Sequence, residues 1–311
     1  MDREVKIGSR KSRLAVIQTE KLIQYMEENF REIKTELVTM ETTGDRRLDV
    51  TLDKIGGKGL FVKELDRALL EGKIDLAVHS LKDMPMEEQE AIPIVAYSQR
   101  EDVRDVLVLR SGLEKWDGRG VIGCSSFRRR IQAEKLYPDA VFRTIRGNVT
   151  TRLEKLDAGE YDALILAAAG LNRLGLESRI HRFFSVEEIL PAAGQGILAV
   201  QGRKGEDYRF LDGFEEDGIR SIAEAERAFV RYLNGGCTSP VAAYAYICED
   251  RLCLRGLYYI EKTRSYVIGH KEGCPQEAGQ VGIALAREMQ KTYGKEGKSA
   301  EANSLRQTAE V

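Results

Sequence analysis

The sequence has 311 residues, with 48 basic and 50 acidic side chains and a formal net charge of −2. A chain of this length can form two or three folding units of ordinary size. Its nearly balanced charge gives no global field that would attract nucleic acid or an acidic membrane surface. We therefore expect neither partner, and any recognition of anions must be local.

The apolar segments and the cysteines indicate the cellular compartment. No apolar stretch reaches the roughly 20 residues of a membrane span, and the charged start lacks the apolar core of a secretion signal. The cysteines are odd in number and form no CxxC pair, which favours reduced thiols and argues against a metal site. They are Cys124, Cys237, Cys248, Cys253 and Cys274. We expect a cytoplasmic protein.

Apolar runs alternate with amphipathic patterns along the first two thirds of the chain. This βαβ order predicts two α/β units with mostly parallel sheets. In the first part, strands are predicted at VKIGS (5–9), KTELVTM (34–40) and IDLAVHS (74–80), and helices at 12–30 and 60–72. In the second part, strands are predicted at DVLVLR (105–110), GVIGC (120–124), AVFRTI (140–145) and DALILAAAG (162–170), and helices at 125–136 and 149–159.

The last part of the chain no longer shows the alternating βαβ pattern. The glycine-rich, charged segment 200–218 predicts a boundary, and an amphipathic helix follows over 221–234. The stretch 241–270 is typical of a strand meander, and 276–294 of a helix, so a small α+β domain is expected. From Lys295 onward the sequence is polar and is expected to fray.

A candidate catalytic group stands at the end of the run IDLAVHSLKDMP (74–85). In open α/β sheets, ligands bind beyond the carboxyl ends of the strands, which places Ser80, Lys82 and Asp83 at a cleft. The alternative is that Asp83 only caps a turn and pairs with Lys82. Other segments have to decide between the two.

Arginines follow several of the other predicted strands. Because carboxyl ends of parallel strands meet at one sheet edge, these arginines can converge on a ligand with several negative charges. They are Arg10, Arg128, Arg129, Arg130, Arg146, Arg152 and Arg173. The alternative for each is a solvated surface position, and consecutive helical positions lie about 100° apart, so Arg128 to Arg130 cannot all enter one site.

Three further segments are candidates for function. Ser125 and Ser126 precede a predicted helix, where they either help to bind an anion or act as ordinary N-caps. The charged segment 41–59 suits a flap over a site or a plain exposed loop, and its GGKG lacks the order of a phosphate-binding loop. Cys237 in LNGGCTSP lies between glycines and a proline, so its thiol is a candidate nucleophile or attachment point.

Taken together, these segments resemble the porphobilinogen deaminase (hydroxymethylbilane synthase) family from residue 7 to about 245. The likeness weakens beyond Ala245. The matching segments are IGSRKSRLAVIQ (7–18), IGGKGLFVKELDRALLEGKIDLAVHSLKDMP (55–85), IGCSSFRRR (122–130), IRGNVTTRLEKLDAGEYDALILAAAGLNRLG (145–175), PAAGQGILAVQ (191–201) and AERAFVRYLNGGCTSPVAAYA (225–245). Two departures are Cys124, where threonine is frequent in the family, and Phe127, where leucine is common.

The resemblance implies an α/β fold with two domains like those of periplasmic binding proteins around a cleft, plus a small α+β C-terminal domain. The implied domains are 1–98 with about 197–216, then 99–196, then 217–311. The implied reaction joins four porphobilinogen molecules into hydroxymethylbilane with loss of ammonia. It starts on a covalently bound dipyrromethane, by analogy attached to Cys237 through a thioether. A monomer is expected.

The family also implies a role for each candidate residue. Asp83 would be catalytic, stabilising the azafulvenium cation that forms when ammonia leaves. Cofactor contacts would come from Ser80, Lys82, Ser126, Arg128, Arg129, Arg146 and Arg152. Substrate contacts would come from Arg10, Gln18, Ser125, Arg146, Arg152, Arg173 and Gln195.

Two functions from other classes explain part of the pattern. A noncatalytic clamp for a small polyanion would need the paired α/β units and the arginines, but not the loop thiol. A phosphate-transferring enzyme could use the serine-arginine helix start, but the sequence has no acidic motif for the metal that such chemistry needs.

Overall fold

A computed structural model describes residues 3–46, 62–235 and 239–294. The strands in this part of the chain are β1 (Arg3–Arg10), β2 (Ile33–Met40), β3 (Leu76–Ser80), β4 (Ile94–Tyr97), β5 (Asp105–Leu109), β6 (Gly120–Gly123), β7 (Ala140–Arg143), β8 (Ala163–Ala167), β9 (Ile180–Phe183), β10 (Leu198–Gly202), β11 (Ala242–Cys248), β12 (Arg251–Ile260) and β13 (Ser265–Gly273). The helices are α1 (Arg13–Asn29), α2 (Thr43–Arg46), α3 (Lys63–Leu70), α4 (Phe127–Leu136), α5 (Val149–Asp157), α6 (Ala168–Arg173), α7 (Ile219–Tyr232) and α8 (Ala278–Tyr293).

The first sheet has the strand order β2-β1-β3-β10-β4. Strand β1 runs parallel to β2 and β3, whereas β10 runs antiparallel to both of its neighbours. Helix α1 packs on this sheet by burying Leu22 and Met26, which are four residues apart and so lie on one face of the helix. Its first turn is capped by Ser12, whose hydroxyl accepts a hydrogen bond from the Ala15 amide at 3.3 Å.

The second sheet has the order β7-β6-β8-β5-β9. Strand β6 is parallel to β7 and β8, and β5 is antiparallel to β8 and β9. All five residues of β5 are buried, as expected for a continuous apolar run that is covered on both faces. In each sheet, the fourth strand in the order is therefore antiparallel to the other four.

The third unit is a meander, β11-β12-β13, with antiparallel pairing throughout. Helices α7 and α8 pack on one face of this sheet around Phe229, Leu254 and Leu285. The mixed α/β class with a separate α+β unit is confirmed. The boundaries at 98, 196 and 216 remain a proposal, which the place of β10 in the first sheet supports.

One expectation about local structure was wrong, and one segment is more regular than its composition indicates. The glycine-rich, charged segment 200–218 was expected to mark a boundary; its first residues, Val200 to Gly202, belong to β10 in the interior of the first sheet, which is consistent with the implied assignment of about 197–216 to the first domain. The alanines of LAAAG were expected to extend a strand, but Ala168 begins helix α6. Alanine has the highest helix propensity, and the strand ends where its pairing with β5 ends, at Ala167.

Strands β3, β6, β7 and β8 end toward the space between the first two sheets, so their carboxyl ends and the loops that follow form the walls of one cleft. The chain crosses between the two units twice, after β4 and after β9. No helix among the described residues is long and apolar enough to span a membrane. Most of the expected flap at 41–59, and Cys237, lie outside the described residues.

Candidate active site

The cleft between the two α/β units has a volume of about 530 Å³. Every predicted site residue within the described part of the chain contributes to its lining, although these residues come from widely separated segments. They are Arg10, Gln18, Ser80, Lys82, Asp83, Ser125, Ser126, Arg128, Arg129, Arg146, Arg152, Arg173 and Gln195. The prediction that distant strand ends converge on one pocket is confirmed, whereas the individual roles of these residues remain predictions.

The chain places Lys82 and Asp83 at the cleft by turning sharply after β3. Residues Leu81–Asp83 form a single 3₁₀ turn, which the Met84 amide closes on the Leu81 carbonyl at 3.2 Å. Leu81 is fully buried, and this anchors the turn. Burial and, to a smaller extent, the nearby Arg129 lower the pKa of Lys82 to about 8, although Asp83 and Asp105 oppose the shift.

Gln18 on α1 contacts the end of β3. Its Nε2 donates a hydrogen bond to Ser80 Oγ at 3.0 Å, and the Gln18 side chain is 4% exposed. This contact fixes the hydroxyl at the floor of the cleft, next to the 3₁₀ turn that carries Asp83.

Arg128 and Arg129 meet a carboxylate that the sequence reasoning missed. Asp105 at the start of β5 is fully buried; its Oδ2 accepts from Arg128 Nη1 at 2.8 Å, and its Oδ1 accepts from Arg129 Nε at 2.9 Å. Burial by itself would raise the pKa of Asp105, but the two guanidinium groups outweigh it and hold that pKa well below its usual range. The available signal was an acid that opens an otherwise apolar strand, because such a charge must find a partner when it is buried.

Gln195 connects the two walls of the cleft. Its Nε2 donates to Asp105 Oδ1 at 3.0 Å and to the Val103 carbonyl at 2.7 Å. Its Oε1 accepts from Lys82 Nζ at 3.4 Å. A single amide thereby joins the lysine of the first unit to the buried carboxylate of the second.

Arg152 and Arg173 are cations held largely out of water. Arg152 Nε donates to the Gly147 carbonyl at 2.8 Å, and Arg173 Nη2 donates to the Gly196 carbonyl at 2.6 Å. Burial lowers the pKa of each guanidinium to about 10. The Nε atom of Arg173 is buried without a hydrogen-bond partner among the described residues. The Arg173 side chain therefore has unused capacity to bind an anion.

The two serines before α4 have different contacts. Ser126 is the N-cap and accepts from the Arg129 amide at 3.5 Å, as the simpler interpretation predicts. The Ser125 hydroxyl donates to the carbonyl of Ile145 and accepts from its amide, so it ties α4 to the loop after β7. Arg130 points away from the cleft and pairs with Glu134 on the solvent side, which confirms that the three consecutive arginines cannot share one site.

Two family models match this chain. The model described as "Porphobilinogen deaminase, dipyromethane cofactor binding domain" matches residues 5–210, and the one described as "Porphobilinogen deaminase, C-terminal domain" matches residues 221–291. The chain belongs to the porphobilinogen deaminase family. The two matches cover both α/β units and the C-terminal unit.

Curated relatives of this family are similar over nearly their whole length. The porphobilinogen deaminase of Acetivibrio thermocellus is 54% identical over 288 residues, which cover 93% of this chain and 98% of the relative. The porphobilinogen deaminase of Ruminiclostridium cellulolyticum is 52% identical with the same coverage. That of Alkaliphilus oremlandii is 54% identical over 92% of this chain and 96% of the relative.

Solved structures outside the family show a weaker likeness. The effector binding domain of BenM, solved with its effector benzoate, aligns with a TM-score of 0.40 at 16% identity, over 70% of this chain and 96% of that one. The periplasmic aliphatic sulphonate binding protein SsuA from Escherichia coli aligns with a TM-score of 0.37 at 13% identity, over 75% of this chain and 71% of that one. The fold class of this porphobilinogen deaminase family member rests on its own strand order.

Proposed function

We propose that this cleft is where the chain carries out the reaction of its family, the condensation of four porphobilinogen molecules into hydroxymethylbilane with release of ammonia. The observation that carries the proposal is the charge of the lining: eight lysine or arginine side chains face the cleft, against two carboxylates, Glu41 and Asp83. Each pyrrole of the substrate and product carries an acetate and a propionate. A growing chain of pyrroles needs such an excess of guanidinium groups.

The same excess of basic side chains fits the dipyrromethane of the family, which carries four carboxylates. The buried Nε of Arg173 and the desolvated guanidinium of Arg152 are groups that a carboxylate would satisfy. When bound, a dipyrromethane supplies the primer on which the pyrrole chain grows. We assign its contacts to Ser80, Lys82, Ser126, Arg128, Arg129, Arg146 and Arg152.

Cys237 is the proposed attachment point, through a thioether to its Sγ. It lies outside the described residues, but Ser239 and Val241 on its C-terminal side line the cleft. Cys237 is two residues from Ser239 along the chain, and two residues span at most about 7 Å. This proximity supports the assignment, since only a cysteine near the cationic wall could tether a group that this wall binds.

We assign the catalytic role to Asp83. Positive charge develops on the pyrrole of the substrate as ammonia leaves, and a fixed carboxylate at the cleft stabilises that charge more than water can. Asp83 can also accept a hydrogen bond from the pyrrole N–H and move a proton during the condensation. Arg10, Gln18, Ser125, Arg146, Arg152, Arg173 and Gln195 would bind and orient the acidic arms of the substrate.

The experiment that tests this function combines intact-protein mass spectrometry with an assay of hydroxymethylbilane formation. The wild-type protein should carry the added mass of one dipyrrole and convert porphobilinogen. Cys237→Ser should lack both, while Cys248→Ser, which changes an exposed cysteine of the β11–β12 hairpin, should match wild type. A bare wild-type polypeptide that binds porphobilinogen without consuming it would support the polyanion clamp instead.

We further propose that the protein acts as a monomer in the cytoplasm and without nucleic acid. The formal net charge of −2 supports the last point, because it offers nucleic acid no general attraction. Light scattering after size exclusion should give the mass of one chain. A salt-sensitive shift on mixing with DNA or RNA would contradict the proposal.

A further inference from the structure

Helix α7 lies against the turn that carries Asp83, although the two come from different units. Ile219 and Ala223 of α7 pack in one cluster with Leu81 and Met84, which flank the catalytic turn. The two α7 residues are four apart, so they lie on one face of the helix. The next position on this face, four residues further on, is Arg227.

Arg227 is a buried cation that binds the main chain just after Asp83. Its side chain is 5% exposed, and its Nη2 donates to the Pro85 carbonyl at 2.7 Å and to the Met86 carbonyl at 3.3 Å. The same nitrogen lies 3.5 Å from Glu88 Oε1, a partly exposed carboxylate. Arg227 therefore fixes the segment on the C-terminal side of the catalytic turn.

The segment 84–93 has little regular structure of its own. Pro85 has no N–H to donate, and residues 84–93 form no strand or helix before β4 begins at Ile94. The Asp83 turn thus has a strand on one side and an irregular loop on the other. Contacts from α7 hold the first residues of this loop, whereas Gln89 and Ile92 further along are hydrogen-bonded to Asp66 and Gln201 of the first unit.

The neighbouring residue fixes α7 itself to the rest of the molecule. Glu226 is fully buried and accepts hydrogen bonds from Arg100 Nη1, from the Gly194 amide and from the Ala245 amide, each at 2.7 Å. Arg100 and Gly194 lie on the two segments that cross between the α/β units. Helix α7 is therefore held at both crossings while Arg227 holds the catalytic turn.

We propose that Arg227 is a positioning residue, which sets the place of the Asp83 carboxylate by binding the Pro85 and Met86 carbonyls from the C-terminal unit. One turn further along α7, Val230 lines the cleft. The same helix would thereby support both the Asp83 turn and part of the cleft wall. This inference rests on the function proposed above, and no part of it requires Arg227 to touch a ligand.

The burial of Arg227 supports a role of this kind. Its Nη1 is buried without a hydrogen-bond partner among the described residues, and an unsatisfied buried donor lowers stability. An uncharged side chain would pack there without this cost. A single nitrogen, Nη2, donates to both carbonyls, and the planar guanidinium holds that nitrogen in a fixed orientation, whereas the ammonium of lysine is carried on a flexible stem.

The test compares Arg227→Met, Arg227→Lys and Arg220→Met in the full-length holoprotein. Methionine keeps much of the apolar stem of Arg227 and removes its hydrogen bonds. Arg220 is the matched control, because it lies on the same helix with a side chain that is 53% exposed. For each variant we would measure dipyrrole content by mass, kcat, KM, Tm and hydrogen exchange of residues 84–88.

Arg227→Met should retain the dipyrrole and its KM but lose kcat by about 10- to 100-fold, because small displacements of a catalytic group have effects of this size. Exchange at 84–88 should become faster, Arg227→Lys should recover part of kcat, and Arg220→Met should behave as wild type. Combined with Asp83→Glu, Arg227→Met should have a smaller effect than it has alone, because both changes move the same carboxylate.

A wild-type kcat in Arg227→Met would overturn the positioning role, as would a loss of kcat matched by an equal loss of folded protein. If Arg227→Met does not fold, a wild-type kcat in Arg227→Lys would overturn it equally. The proposed function fails separately, if wild-type holoprotein makes no hydroxymethylbilane or if Asp83→Ala retains full turnover.

Discussion

The two α/β units share one strand order, but they bury carboxylates in opposite surroundings. In the first unit, Asp66 on α3 accepts a hydrogen bond from Gln89 Nε2 at 2.7 Å, and burial raises its pKa to about 6. In the second unit, Asp105 is fully buried between Arg128 and Arg129, which hold its pKa well below the usual range despite the burial. One scaffold thus gives a carboxylate that resists ionisation and another that is always ionised, and the difference is the presence of cations.

The edges of the two units that face the cleft also differ in the charge of their side chains. The first unit supplies Asp83, and the second supplies most of the guanidinium groups. This arrangement separates the group that would act on the pyrrole from the groups that would hold its acidic arms. A shared topology places the residues, and the loop sequences decide the chemistry.

The largest effect on activity is expected from substitution of Asp83, at the edge of the first unit that faces the cleft. Asp83→Ala should lower kcat by about 10³-fold or more, because charge stabilisation and proton transfer would be lost together. Its Tm should stay near that of wild type, since the side chain lies at the cleft and outside the core. Steady-state assays and calorimetry check both points, and turnover comparable to wild type would contradict the catalytic assignment.

The next largest effect is expected on stability, from substitution of Asp105, the buried carboxylate of the second unit. Asp105→Asn leaves Arg128 and Arg129 buried without their counter-ion, so the free energy of unfolding should fall by about 3–5 kcal/mol. Asp102→Asn is the control, because its partner Arg104 has a side chain that is 43% exposed, and a loss within about 1 kcal/mol is expected there. Urea unfolding of both variants measures the difference, and equal losses would argue against a special role for Asp105.

Substitution of Asp66, the buried carboxylate of the first unit, should stabilise the protein instead of destabilising it. Because the pKa of Asp66 rises from 3.8 to about 6 on folding, the folded state binds more protons between these values, and stability falls as pH increases through this window. Asp66→Asn removes this loss and should raise the free energy of unfolding at pH 7 by about 1–3 kcal/mol, with no gain near pH 4. Asp139→Asn, whose side chain is 70% exposed, serves as the control. A variant less stable than wild type at pH 7 would refute the assignment.

The smallest effect is expected at Arg130, which follows Arg129 directly. Its side chain is 50% exposed and pairs with Glu134 one turn along α4. Arg130→Gln should change the free energy of unfolding by about 0.5 kcal/mol or less and leave KM unchanged. A large increase in KM would mean that Arg130 reaches the ligand, and the contrast between neighbouring arginines would then disappear.

The sequence was sufficient for most of the helices and central strands, because their periodicity is local. It also predicted which strand ends would meet, since parallel strands bring their carboxyl ends to a common edge. The residue pattern alone did not predict the place of β10, which only the family resemblance assigned to the first domain. That short segment returns to the first sheet after the whole second unit, and its pairing with β3 and β4 depends on partners about 100 residues away.

The sequence by itself determined the class of fold, the family and the cluster of site residues around Asp83, because those follow from residue type, spacing and resemblance. Only the tertiary structure decided which charges meet. The sequence indicated Gln195 only as a substrate contact and gave Asp105 no role, and their contacts with distant segments make them the link between the two walls of the cleft. Burial and proximity fix the charge state of a side chain, and both are properties of the folded chain.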